Sequence, residues 1–382
     1  MKAASKTQTN YQAGEVSLGS FLVPAPKSSN YIRYWSCGLL LVCAVVLDAA
    51  EKPDTKEAAK AELARYTVTV TSSKDGTPQK AVFYCPPEAT LDAKGERIPL
   101  LVALHTWSGG YEQGVEHKSH AKKRGWIMIA PDFRGPNRRP EACASDLAVQ
   151  DVLDAVEFAK QHARVDESRI YVIGASGGGH MALMMASRAP QLWAGVSAWV
   201  PVTDLAAWHR DNTISKRKYD KMLEQVCGGP PGPQNEADYR KRSPVFHLAA
   251  AKGLPLDINA GIHDGHTGSV PVSHSLRAFN VIAAANACAG KQVTDEQIAF
   301  LVRERKVPPP LVVEREDDPE RQKTVLFRRV AGAARITIFE GGHDAELAAG
   351  LNWLSRQRRG APADHRVVRD AARPSGVKQV AQ

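Results

Sequence analysis

The residues best suited to catalysis are a serine and the glycines on either side of it, in Gly174–Gly178. A β-branched apolar run, Arg169–Ile173, leads into this stretch, and small and apolar residues suited to a helix, Met181–Ala189, follow it. In a strand–turn–helix setting the glycines have no Cβ to collide with their neighbours, so Ser176 is free to adopt a strained backbone conformation. A Gly-Ser turn alone is equally consistent with a flexible loop. The chemistry therefore depends on whether the chain supplies an acid and a base.

Two strand ends further along the chain supply these groups. The run Leu256–Ala260 predicts a strand that Asp264 follows, and the run Arg335–Phe339 predicts a strand that His343 follows. In this arrangement His343 takes the proton of Ser176 as the hydroxyl attacks a carbonyl group, and Asp264 orients the imidazole. The sequence therefore predicts a serine–aspartate–histidine triad that works through an acyl-enzyme.

Other readings of the acidic segment stay open. Asp204 follows an earlier predicted strand and is a competing acid, although a helix cap is its other role. His263 and His266 flank Asp264 in the manner of a metal cluster, but no further ligand stands at a useful spacing. We expect no metal and no cofactor.

An anion site is expected beside the serine. The apolar run Pro99–Leu104 leads into a loop whose Trp107 amide would pair with the Gly177 amide as an oxyanion hole, with Thr106 as the alternative to Trp107. His105, at the start of the loop, is expected to pin it structurally.

These residues need a sheet that places strand ends side by side. Apolar and β-branched runs predict eight strands, at 66–71, 80–84, 99–104, 126–130, 169–173, 195–200, 256–260 and 335–339. The first two read as a hairpin, and the others alternate with helical patterns. The predicted fold class is α/β, with a mostly parallel eight-stranded sheet and helices on both faces.

Two segments exceed ordinary loop length. Residues 203–254 contain a helical stretch, Lys216–Val226, and are expected to form a helical cap over the site. Residues 289–334 contain an acidic helix and then a small hairpin excursion, with Leu311–Val313 and Thr324–Phe327 as its strands.

Composition divides the chain into four parts. We expect a leader at 1–50, a linker or short helix at 51–65, a catalytic domain at 66–358 and a disordered basic tail at 359–382. The net charge of +9 lies mostly at the two ends, so a nucleic-acid partner is not expected.

The leader predicts export to the periplasm or the exterior. The apolar run Trp35–Leu47 has a positive flank and is too short to span a bilayer, so it resembles a signal-peptide core with cleavage near Ala49 or Ala50. The segment before it is long for a signal peptide, and a buried helix or lipidation at Cys43 are the alternatives. No membrane span is expected after signal removal. Because export permits disulfides, Cys143 and Cys227 are a candidate pair.

The chain resembles the α/β-hydrolases and, among them, the catalytic domain of the prolyl oligopeptidase family with its esterase-like relatives. The resemblance covers about residues 65–358 and rests on residues 132–135, 165–170, 174–178, 243–244, 261–264, 270–271, 275 and 342–343. It implies an α/β-hydrolase fold and serine hydrolase activity. One departure is the oxyanion turn, where family peptidases carry His-Gly-Gly-Pro and this chain has His105–Ser108.

Three functions are consistent with these features. The first is an exported serine hydrolase acting on carboxylic esters, with Trp107, Trp199 and Trp208 either binding the substrate or lining the core. The second is a serine peptidase that cleaves short peptides, and the third is a non-catalytic binding protein on the same fold. The expected partner is a small ester or peptide substrate, and the sequence indicates no oligomeric state.

Overall fold

Nine strands form one sheet in the computed structural model, which describes residues 55–368. The strands are β1 Thr67–Thr71, β2 Pro78–Tyr84, β3 Ile98–Leu104, β4 Ile127–Pro131, β5 Val165–Ala175, β6 Gly195–Trp199, β7 Leu256–Gly261, β8 Val325–Ala331 and β9 Ala334–Phe339. Their order in the sheet is β1-β2-β4-β3-β5-β6-β7-β9-β8. Strands β3 to β7 and β9 run parallel, whereas β1, β2 and β8 are antiparallel to their neighbours.

Helices cover both faces of the sheet. They are α1 Thr55–Tyr66, α2 Gly114–Arg124, α3 Asp146–His162, α4 Gly177–Arg188, α5 Leu205–Ile214, α6 Tyr219–Cys227, α7 Glu236–Lys241, α8 Ser273–Ala285, α9 Asp295–Glu304, α10 Pro309–Val312 and α11 Leu347–Ser355. Helices α3, α4 and α8 pack on one face, and α2 and α11 pack on the other. Because both faces are covered, the central strands are buried along nearly their whole length, as their continuous apolar runs predict. The predicted α/β class is confirmed.

The sheet has one strand more than the sequence predicted. Leu311 and Val312 lie in the short helix α10, whose prolines favour a helix start, so they form no hairpin with Thr324–Phe327. Instead β8 pairs antiparallel with β9, and Gly332, with a φ of +60°, makes the tight turn between them. The excursion therefore extends the main sheet at its edge.

Both ends of the described chain pack on this domain. The predicted linker forms α1, whose Leu63 packs against the core and whose Glu62 pairs with Lys118. In the predicted tail, the Arg359 amide donates to the Ser168 carbonyl at 2.9 Å, and His365 stacks on a core tryptophan. The start of the predicted basic tail, residues 359–368, therefore contacts the domain. The leader and residues 369–382 lie outside the described residues, and no described helix is long and apolar enough to cross a membrane.

The cap insertion, residues 203–254, contains three helices where the sequence predicted one. The predicted stretch corresponds to α6, and α5 and α7 flank it. Asp204 caps α5 by accepting a hydrogen bond from the Ala207 amide at 2.9 Å, so it serves as the helix cap that was its alternative role.

A buried ionic group ties the last strands of the sheet together. Asp257 on β7 accepts from Arg335 on β9 at 2.6 Å and from Ser197 on β6 at 2.9 Å. Burial alone would raise the pKa of Asp257, but the charges of Arg335 and Arg321 outweigh it and lower the pKa to about 2. The ionised carboxylate is therefore part of the folded structure at neutral pH.

Replacing Asp257 by Asn should destabilise the fold by about 3–5 kcal/mol at pH 7, because Arg335 is left buried without its counter-charge. A group whose pKa is lowered on folding stabilises above its unfolded pKa and loses that contribution as the pH falls through the folded value. The difference in unfolding free energy between wild type and variant should therefore decrease from about pH 5 towards pH 2. Urea unfolding across this range measures it. Asp317→Asn, at an exposed loop position, is the control. Equal stability of wild type and Asp257→Asn at pH 7 would contradict the role of the pair.

Candidate active site

Ser176 stands at a strained turn between β5 and α4. Its backbone has a φ of 57° and a ψ of −117°, a conformation that residues other than glycine rarely adopt, and its amide donates to the Trp199 carbonyl at 2.9 Å. A Cβ on Gly174 would overlap the Gly178 carbonyl, and a Cβ on Gly178 would overlap the Leu104 carbonyl. Glycine at these two positions thus lets the strand and helix approach closely enough to make the turn.

Asp264 and His343 form a hydrogen-bonded pair at the same edge of the sheet. Asp264 Oδ2 lies 2.7 Å from His343 Nδ1, and its Oδ1 accepts from the amides of Gly265 at 2.9 Å and Val270 at 3.1 Å. The carboxylate is buried, whereas the imidazole is one quarter exposed. Because Nδ1 faces the carboxylate, Nε2 is left as the ring nitrogen that can accept a proton.

Ser176, Asp264 and His343 follow β5, β7 and β9, whose carboxyl ends meet at one edge of the sheet. Within residues 55–368, no hydrogen bond joins Ser176 Oγ to the His343 ring. In enzymes without substrate this contact is often long and tightens in the complex.

The backbone amides of Trp107 and Gly177, near Ser176, have no acceptor among the described residues. A Cβ on Gly177 would lie 2.5 Å from the Trp107 nitrogen, so the two backbones are in close contact. The Thr106 amide donates to Gln113 Oε1 at 2.9 Å and is therefore not available as the alternative donor. The free amides at the start of α4 also carry the positive end of the helix dipole.

The loop that carries Trp107 is pinned by His105. The His105 ring stacks on Phe133 at 3.8 Å, and its Nε2 lies 2.8 Å from the Asp132 carbonyl. Burial lowers the pKa of His105, although its contacts with the carbonyls of Thr106 and Asp132 act to raise it. His105 thus joins the loops after β3 and β4.

Of the two roles open to the three tryptophans, burial favours lining the core over binding the substrate. Trp199, at the end of β6, is wholly buried, and its Nε1 donates to the Ser197 hydroxyl. Trp208 is also wholly buried; its ring packs on Trp107 at 4.7 Å, and its Nε1 donates to the Ser269 carbonyl at 2.7 Å. The Trp107 ring is buried in the same cluster as Trp208, so these two rings pack beneath the Trp107 loop.

The candidate disulfide is also corrected. Cys143 and Cys227 are free thiols, buried in the cluster that contains Trp107 and Trp208. Burial raises the pKa of Cys227 to about 12 and raises that of Cys143 as well. Both side chains pack as small apolar groups, and neither is a reactive thiolate at neutral pH.

The two histidines around Asp264 have other partners. His263 Nε2 lies 2.5 Å from Glu340 Oε1, and His266 Nε2 lies 2.7 Å from the Val302 carbonyl. In the part of the chain that the structure describes, no three histidine, cysteine or acidic side chains are grouped to hold a metal ion.

Sequence reasoning missed Gly268. A Cβ there would overlap Asp264 Oδ1 and lie 2.5 Å from His343 Cβ. The loop can therefore close over the carboxylate only with glycine at this position. Thr267-Gly268-Ser269 offers no motif that would have singled it out.

A cavity of about 380 Å³ opens beside the Trp107 loop. Its lining is mostly glycine, polar and charged, and consists of Ser108, Gly109, Gly110, Glu112, Asp132, Gly135, Pro136, Arg138 and Arg139. Ser176, His343 and Trp107 are not among these residues, so the cavity is separate from the reacting groups.

The resemblance to known proteins agrees with this geometry. Residues 116–297 match the sequence model of the prolyl oligopeptidase family, which confirms the predicted resemblance. "Uncharacterized peptidase YtmA" of Bacillus subtilis is 30% identical over 155 residues, 40% of this chain and 56% of that protein. The "Versiconal hemiacetal acetate esterase" of Dothistroma septosporum is 30% identical over 152 residues, 36% of this chain and 44% of that protein. The chain spans about half the length of these curated relatives.

A solved structure shows the same fold. The Pyrococcus horikoshii acylaminoacyl peptidase superposes with a TM-score of 0.50 at 16% identity, over 77% of this chain and 41% of that one. Of the two curated relatives, one is named a peptidase and the other an esterase.

Gly268→Ala should slow labelling of Ser176 by a fluorophosphonate by about 100-fold, because a new Cβ displaces the Asp264–His343 pair. The rate of labelling, followed by intact mass, measures the effect. Gly232→Ala is the matched control, since a Cβ there would contact nothing within 4 Å. Equal labelling rates for both variants would show that the loop tolerates the extra atom.

Proposed function

We propose that this chain, which resembles the catalytic domain of the prolyl oligopeptidase family over residues 116–297, hydrolyses carboxylic esters through an acyl-enzyme on Ser176. The Asp264–His343 pair, 2.7 Å apart at the strand edge that carries the strained Ser176, is the observation that supports this most directly. The proposal assigns a role to each of these side chains.

In the first half of the reaction, Ser176 Oγ attacks the carbonyl carbon of the ester, and its proton passes to His343 Nε2. Asp264 holds the imidazole by Nδ1 and stabilises the imidazolium that forms. The carbonyl π electrons move to oxygen, and the amides of Trp107 and Gly177 are the donors that receive this oxyanion. The intermediate collapses, and the alcohol leaves with the proton from His343.

In the second half, a water molecule replaces the alcohol. His343 removes a proton from the water as it attacks the acyl carbon, and the same imidazole then returns the proton to Ser176 Oγ as the carboxylic acid departs. No atom outside the chain, the ester and water is needed.

Two observations favour an ester over a peptide. The oxyanion turn, His105–Ser108, departs from the His-Gly-Gly-Pro of family peptidases, and one similar protein is named an acetate esterase. A peptidase is the second candidate, because YtmA and the Pyrococcus horikoshii protein are named peptidases.

The purified protein should hydrolyse p-nitrophenyl acetate faster than p-nitrophenyl decanoate, and both faster than aminoacyl p-nitroanilides. Ser176→Ala should reduce ester hydrolysis by at least about 10⁴-fold, since it removes the nucleophile. Steady-state rates at equal substrate concentration measure these differences. Anilide turnover well above ester turnover would favour the peptidase, and a wild type that neither turns over nor labels would favour the binding protein.

We also propose that the protein is exported, on the strength of the apolar run Trp35–Leu47 and its positive flank. Expressed whole in a bacterium, it should be recovered outside the cytoplasm with a new N-terminus near Ala50. N-terminal sequencing of the fractionated protein measures this. Leu41→Arg should block export, because a charge interrupts the apolar run; an unprocessed N-terminus in the cytoplasm for wild type would refute the proposal.

A further inference from the structure

Asn137 has a buried side chain whose amide nitrogen is unused. The residue is completely buried, and Nδ2 has no hydrogen-bond partner among the described residues. A buried donor without an acceptor destabilises a fold, so each such group calls for an explanation, of which a catalytic role is one. The groups around Nδ2 therefore determine which acceptor it could bind.

The orientation of the amide is set by its oxygen. Asn137 Oδ1 accepts from the Cys143 amide at 2.9 Å, so the NH₂ group must point the other way. The backbone amide of Asn137 donates to the Trp107 carbonyl at 2.8 Å, which ties the residue to the loop that carries the oxyanion donor.

The free nitrogen points at the start of α4. Asn137 Nδ2 lies 3.0 Å from the position that a Gly177 Cβ would occupy, and the Trp107 nitrogen lies 2.5 Å from the same position. Two donors therefore flank the backbone of Gly177, whose own amide is the third donor in this place.

The segment that carries Asn137 is held in place by ion pairs of Arg134. Phe133 and Arg134 have positive φ angles of 32° and 78°, and Arg134 donates to Asp151 at 2.6 Å and to Asp75 at 2.8 Å. Such support holds a donor in position before the reaction begins, which is what stabilisation of a transition-state charge requires.

We infer that Asn137 Nδ2 is a third, side-chain donor to the oxyanion, beside the amides of Trp107 and Gly177. The inference rests on the proposed function and adds a catalytic residue to it. Asn137 Nδ2 then gains its acceptor only when the tetrahedral intermediate forms, so its hydrogen bond lowers the barrier and leaves substrate binding nearly unchanged.

The test uses the full chain with three substitutions. Asn137→Ala removes the donor, and Asn137→Asp removes it while keeping an oxygen for the Cys143 amide. Asn280→Ala is the matched control, since the side chain of this asparagine bonds only to the backbone of Val293, away from the site. Thermal unfolding of each variant reports on folding.

Both Asn137 variants should lower kcat for p-nitrophenyl acetate by about 100-fold with KM nearly unchanged. Their affinity for phenylboronic acid, which forms a tetrahedral adduct on Ser176, should fall by a comparable factor, whereas Asn280→Ala should change neither. If Asn137→Ala does not fold, Asn137→Asp decides the matter.

A folded Asn137→Asp with the kcat and boronate affinity of wild type would overturn the inference while leaving the proposed function intact. The same holds if the variants only lose thermal stability, because that is the outcome of a purely structural role. A wild type that neither hydrolyses the ester nor reacts with a fluorophosphonate would overturn the proposed function, and the assignment of Asn137 with it.

Discussion

The site depends on the close approach of three backbones. The end of β3, the end of β5 and the start of α4 come so near one another that a Cβ on Gly174, Gly177 or Gly178 would strike main-chain atoms. This contact strains Ser176 and brings the amides of Trp107 and Gly177 to one place. A side chain here would have to move backbone, which a packed core does not permit cheaply.

The acid and base are held by the strands below them. Asp257 and Arg335 lie opposite each other in the β7–β9 ladder, and their buried ion pair joins the strands that lead to Asp264 and His343. Beyond the strand ends, the His263 amide donates to the Gly341 carbonyl at 2.9 Å, so the two loops remain paired. The His343 imidazole thus contacts the Asp264 carboxylate because the register of β7 and β9 aligns the ends of the two strands, from which both loops start.

The cap insertion supports the site from within. Trp208 packs on Trp107 and lies in one cluster with Cys143, next to the segment that carries Asn137. Strand-end tryptophans can line either a pocket or a core, and the sequence left both roles open. The burial of Trp107, Trp199 and Trp208 favours the core.

The amino-acid sequence by itself determined the fold class and the residues at the strand ends, because strand runs and glycine-flanked turns leave local patterns. It did not determine the ninth strand, because strand β8 is defined by its pairing with β9. It also did not determine that Cys143 and Cys227 are free thiols. Only the tertiary structure identified Gly268 and Asn137. Their roles come from atoms that approach from loops distant in sequence, and such distances follow from packing and have no local signature.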